Sequence, residues 1–200
     1  MPYEYYRLTP EEREEVVRQR RERGYPLHAP PHPLRGEHCY LLSAANYRHA
    51  RIMAAPERRT DLEDCLLRAL SIVHAEVIAW VVLPNHYHAL VNVGSLASIS
   101  SALQDVHGVT ARNWNLADEK TGKRRVWYRF TDRAIRNESH LLATLNYIHY
   151  NPVKHGYVED AYEWPWSSLQ GYLEAHGREW LRATWRANPP GDMGRGWDDY

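Results

Sequence analysis

The chain has 200 residues, 25 basic and 25 acidic, so it can bury one core and is too evenly charged to be a uniformly basic nucleic-acid binder. It holds no run of 18 apolar residues, and Met1-Pro2-Tyr3-Glu4-Tyr5-Tyr6-Arg7 lacks the apolar core of a signal peptide. A cytoplasmic protein without a membrane span is expected. Cys39 and Cys65 suit reduced thiols, with a single bridge left open. Aromatics are skewed to 14 Tyr and 8 Trp against one Phe, and rings with a polar edge suit wet surfaces, base stacking or core tryptophans alike.

Thr9-Pro10-Glu11-Glu12 reads as a helix start, with a threonine cap, proline in the first turn and glutamate three after the cap. That helix would run to about Arg23 and is almost wholly charged. Pro26, Pro30, Pro31 and Pro33 then mark an extended linker. The main domain is expected over residues 38–181, after an N-terminal segment of residues 1–37 and before a flexible tail of residues 182–200.

Within the domain, residues 38–47 read as a first strand. A capping box at Thr60 opens a helix carrying Leu62, Leu66, Ala69, Leu70 and Val73 at helical spacing. Residues 77–83 and 86–93 form a hairpin about Pro84-Asn85. A second helix spans residues 99–114, a polar loop residues 118–125, and a fourth strand residues 126–130. The order β-α-β-β-α-β predicts an α+β, ferredoxin-like sandwich with an antiparallel sheet, helices on one face and the other face free. A further, tyrosine-bearing helix follows over residues 138–150, capped by Asn137 and ended by Pro152. A short closing helix starts at Trp164-Pro165-Trp166-Ser167-Ser168 and reaches about Ala175.

Strand alternation puts His86, His88, Leu90 and Asn92 on one face, with Tyr87, Ala89, Val91 and Val93 on the apolar other. Two adjacent imidazoles suit a divalent metal, although an isolated His-x-His is more often two ordinary histidines. Tyr147 and Asn151 lie one turn apart on a helix face, where a hydroxyl and a carboxamide could meet that metal. Residues 112–136 hold eight Lys or Arg against three acidic residues, a local excess of five. From that stretch Arg112, Lys123, Arg124, Arg125, Arg129 and Arg136 are candidate phosphate contacts, and Trp127 and Tyr128 candidate stacking rings.

The Leu83-Pro84-Asn85-His86-Tyr87-His88 core and the Tyr147 stretch ending Asn151-Pro152-Val153-Lys154-His155-Gly156 resemble the two signatures of HUH single-tyrosine transposases. The REP-associated tyrosine transposase branch is matched further by Ile135-Arg136-Asn137 and by Trp164-Pro165-Trp166-Ser167-Ser168. The resemblance implies that His86 and His88 hold Mg²⁺ or Mn²⁺, that Asn151 completes the metal shell and that Tyr147 is the nucleophile. His149 and Tyr150 match no catalytic position. The implied activity is nicking and rejoining of single-stranded or hairpin DNA through a 5′-phosphotyrosine, with monomer and homodimer both open. The alternative is a catalytically idle binder of hairpin DNA or RNA. A histidine-triad hydrolase is excluded because position 90 is Leu, and no helical His-Glu-x-x-His marks a zinc hydrolase.

Overall fold

Three apolar runs and one short polar segment become one antiparallel sheet in the computed structural model, which describes residues 39–195 together with Thr9 and Glu11. The strands are β1 (Cys39–Ala45), β2 (Glu76–Val82), β3 (His86–Asn92) and β4 (Thr131–Ala134), in the order β2-β3-β1-β4. With α1 (Pro56–Ile72) joining β1 to β2 and α2 (Leu96–Ala117) joining β3 to β4, the chain follows the expected ferredoxin-like order. Two more helices follow, α3 (Glu138–Lys154) and α4 (Leu169–Ala187). The charged N-terminal helix (Thr9 and Glu11 apart), the proline-rich linker and residues 196–200 lie outside the described residues.

Alternation works as expected on the helical side. Leu42, Ala44, Tyr87, Ala89 and Val91 share a core with Leu62, Leu66 and Leu70 of α1 and Leu103 and Val106 of α2. Each fully buried leucine contributes on the order of 1.5–3 kcal/mol, so this layer holds the sandwich together. Cys39 and Cys65 are free thiols, and burial pushes the Cys39 thiol up to about 11. Among the described residues no helix is long and apolar enough to cross a membrane.

Several boundaries move, each for a local reason. α1 opens at Pro56, not at Thr60, because proline presets the first turn and Arg59 Nη1 donates to the carbonyls of Met53 and Ala54. Thr60 sits inside the helix and its hydroxyl accepts from Trp166 Nε1. The second helix is longer at both ends than residues 99–114. Pro152 does not end α3 either. The helix closes at Gly156, whose φ of 67° lets Gly156 N donate to Val153 O and Tyr157 N donate to Pro152 O.

The expected strand at residues 126–130 is only partly a strand. Trp127 bridges Asn46 and Tyr128 N donates to Ala45 O, after which the register slips and β4 begins at Thr131. α4 continues past the expected end near Ala175, kinked at Gly177 with φ 78°. Its last turn belongs to the domain rather than to a tail, since Asn146 Nδ2 donates to Thr184 O and Asn188 O.

The second face of the sheet is not free. α3 lies across β2 and β3, covering the histidines. The outer edge of β2 is closed by the tryptophan–serine stretch, with Val82 N donating to Trp166 O and Ser168 N donating to Trp80 O.

Candidate catalytic centre

The two histidines of β3 are fixed from behind before anything meets them in front. Register places Ser43 opposite His88, and Ser43 Oγ lies 2.8 Å from His88 Nδ1. His86 Nδ1 lies 2.8 Å from Asn85 Oδ1. Asn85 Nδ2 donates to His49 O at 3.5 Å, which orients the amide with its oxygen toward the ring. With the amide so turned, a proton on His86 Nδ1 would leave a lone pair at Nε2. The ring centroids of His86 and His88 are 5.0 Å apart.

α3 supplies the groups in front. Tyr147 Oη is 3.3 Å from His88 Nε2, and Asn151 Oδ1 is 3.1 Å from His86 Nε2. A further turn along, Lys154 Nζ stands 5.4 Å from the centre of the Tyr147 ring. The His155 ring meets His86 edge-on at 5.0 Å. The centre is closed: Tyr147 is 2% exposed, and His88 and Asn151 are fully buried.

This donor set suits a divalent ion. His86 Nε2 and Asn151 Oδ1 face each other at 3.1 Å, and an imidazole nitrogen beside a carboxamide oxygen is a pair that one cation could share. Both rings also have their far nitrogen tied to a side chain that sets the tautomer, the usual support of a metal-binding histidine. Among the described residues no group of three or more His, Cys, Asp and Glu gathers as metal ligands. The candidate set is two imidazoles and a carboxamide.

The basic stretch divides. Arg112, Lys123, Arg129 and Arg136 are exposed. Arg124 is not a free phosphate contact: it bonds Asn115 Oδ1, Trp114 O and Asp118, pinning the loop to the end of α2. Arg58 shares that aspartate, and the two guanidiniums hold the Asp118 carboxyl down to about 2. Nor is Trp127 the surface stacking ring that the sequence suggests. It is buried, stacks on His107 at 4.5 Å and donates from Nε1 to Thr110 Oγ1, so no base can reach it. Arg125 lies over the Tyr47 and Tyr128 rings at 5.0 and 5.8 Å and donates from Nε to Trp127 O.

Sequence reasoning missed Ser43, Asn85, Lys154 and His155 as parts of this centre. Ser43 becomes visible only through cross-strand register. Lys154 continues the helical spacing of Tyr147 and Asn151, a signal cut off by ending the helix at proline. His149, expected to be a spectator, pairs with Ser168 Oγ at 2.9 Å, and burial pushes its ring down to about 3.

A profile described as "Transposase IS200 like" matches residues 38–151. The chain belongs to that family. It is 32% identical over 123 residues to a REP-associated tyrosine transposase of Haemophilus influenzae, a match covering 57% of this chain and 68% of the relative. A REP-associated tyrosine transposase of Escherichia coli is 32% identical over 129 residues, covering 62% and 72% respectively. Among solved structures, a REP-associated tyrosine transposase bound to a REP hairpin superposes with a TM-score of 0.54 at 25% identity, over 78% of this chain and 88% of that one. His86, His88, Tyr147 and Asn151 of this IS200-like chain lie inside the matched stretch, while Lys154, His155 and all of α4 lie beyond it.

Proposed function

We propose that the chain cuts and rejoins single-stranded DNA at hairpin or REP-type sites, with Tyr147 as nucleophile and Mg²⁺ or Mn²⁺ bound by His86, His88 and Asn151. The observation that carries this is the convergence of the phenol on one imidazole and the carboxamide on the other, at 3.3 and 3.1 Å. The hairpin-bound neighbour supports DNA as partner.

A phenol with pKa near 10 is ionised in only about one molecule in a thousand at pH 7, a deficit of roughly 4 kcal/mol. Lys154 places an ammonium 5.4 Å from the centre of the Tyr147 ring, a positive charge beside the nucleophile. The bound ion would polarise the scissile phosphate and neutralise charge developing on it. Ser43 and Asn85 keep the two imidazoles turned to the front. Tyr147 Oη then attacks phosphorus as the P–O3′ bond breaks; the phenolic proton ends on the departing 3′-oxygen, and the 5′ end stays on the tyrosine as a phosphodiester. Attack by another 3′-hydroxyl reverses this without ATP. Tyr147 is 2% exposed, so a strand reaches it only once the groups that cover it have moved.

Incubating the protein with a single-stranded hairpin oligonucleotide and Mn²⁺ tests this. Cleavage with a covalent 5′ adduct is expected. Tight binding without any cut, at every metal concentration, would identify an idle hairpin binder instead.

A further inference from the structure

On a different face of the tyrosine helix, between α3 and α4, lies a cavity of about 190 Å³ that the chemistry above does not use. Tyr150, Tyr162 and Trp185 wall it, and Arg182 and Arg186 stand at its rim. Tyr150 is 40% exposed, and its centroid is 4.8 Å from that of Trp185. Among the described residues, neither rim arginine forms an ion pair. Arg178, one turn before Arg182 on the same helix face, already lies 4.6 Å over the Tyr162 ring.

Size and chemistry narrow the occupant. The volume falls below the roughly 300 Å³ at which drug-sized sites begin, so it admits one planar ring system. Aromatic walls favour a flat, polarisable ligand, and two unpaired guanidiniums at the mouth favour an anion attached to it. Asn146, also lining the cavity, spends its amide protons on Thr184 O and Asn188 O. Its remaining polar atom is the carbonyl oxygen, an acceptor suited to an exocyclic amino group.

We propose that this cavity receives one unpaired nucleotide of the bound DNA, its base against Tyr150 and Trp185 and its phosphate on Arg182 and Arg186. The inference rests on the DNA-processing reading, and it names a part of the substrate that the catalytic centre does not touch. Seated there, a base lies within one helix diameter, about 10 Å, of the nucleophile-bearing face. The cavity would thereby select which single-stranded position enters the centre.

Affinities of the full chain for three probes test it: a blunt hairpin, and the same hairpin with a six-nucleotide single-stranded extension on either its 5′ or its 3′ end. Wild type is expected to prefer one extended probe about tenfold, the usual effect of one stacked base. Replacing one nucleotide of that extension by an abasic residue should remove the preference. Trp185→Ala, and separately Arg182→Ala with Arg186→Ala, should bring extended and blunt probes within twofold while leaving blunt-hairpin affinity unchanged. Variants that bind the blunt hairpin like wild type and keep the full preference would overturn the proposal. If wild type binds no hairpin at all, the DNA reading itself fails. Titration with dAMP followed by NMR then decides the cavity alone: shifts around Trp185 that vanish in the arginine double variant support it, and their absence overturns it.

Discussion

The histidine face of the sheet and the basic loop after α2 are both polar, yet they are held in opposite ways. On the histidine face each ring has a partner behind it and another in front, and the cluster is buried. In the loop, Arg124 and Asp118 tie the backbone down while Lys123 and Arg129 remain exposed. Strand and helix periodicity determine which side chains share a face, so the pairs His86 with His88 and Tyr147 with Asn151 are legible from spacing. A loop has no period, so a count of positive charges there says nothing of which ones are already engaged.

The largest effect that would break this contrast is loss of the histidines. His86→Ala or His88→Ala should reduce metal-dependent cleavage by about a hundredfold or more, whereas Ser43→Ala or Asn85→Ala should weaken apparent metal affinity by about ten- to a hundredfold. Activity across a Mn²⁺ series checks both. Wild-type affinity in Ser43→Ala and Asn85→Ala would mean that the partners behind the rings do not support a metal site.

Trp127 comes next. As a core ring rather than a stacking platform, its change to Ala should cost about 3–5 kcal/mol of stability by denaturant unfolding. A stable Trp127→Ala protein with weakened DNA binding would restore the surface role.

His107 gives a smaller, pH-dependent effect. It is half-buried, packed against Trp127 and the Tyr87 hydroxyl, and desolvation holds its pKa down to about 4 from 6.5. Below pH 6.5 the unfolded chain takes up a proton that the folded one refuses. The stabilisation present above pH 6.5 is therefore lost as pH falls toward 4, with a slope approaching 1.4 kcal/mol per pH unit. His107→Gln should flatten the stability profile between pH 6 and 5 by about one proton. An unchanged slope would refute the assignment.

The smallest effect is in the loop. Lys123→Ala with Arg129→Ala should flatten the salt dependence of single-strand binding by about 1.4 units if both meet phosphates, at about 0.7 per contact. Arg124→Ala should leave that slope alone and lower stability instead. The reverse pattern would show that the loop opens on DNA.

Fold and centre were legible to different depths. The β-α-β-β-α-β element order, the apolar side of β3 and the shared helix face of Tyr147 and Asn151 follow from period-two and helical spacing, whereas the place of that face beside the histidine pair is implied only by the resemblance to HUH transposases. What failed was local. Pro152 reads as a stop, yet the left-handed Gly156 makes the actual end, so Lys154 was lost from the helix face. The slip between Tyr128 and Thr131 hid the true fourth strand and left Trp127 looking like a surface ring. The open sheet face was a wrong expectation because nothing in a single helix's pattern says which layer it covers. The α3–α4 cavity was likewise invisible, since it needs a helix that continues beyond the kink at Gly177.

The central claim is that Tyr147, held against the His86–His88 pair, forms the covalent bond to DNA. Mass-spectrometric mapping of the adduct formed with a 5′-labelled hairpin substrate and Mn²⁺, in wild type and Tyr147→Phe, tests it most directly. The account predicts one modified peptide carrying Tyr147 in wild type and no adduct in the variant, with hairpin affinity within a few-fold. An adduct that persists in Tyr147→Phe, or that maps to Tyr150, would contradict it.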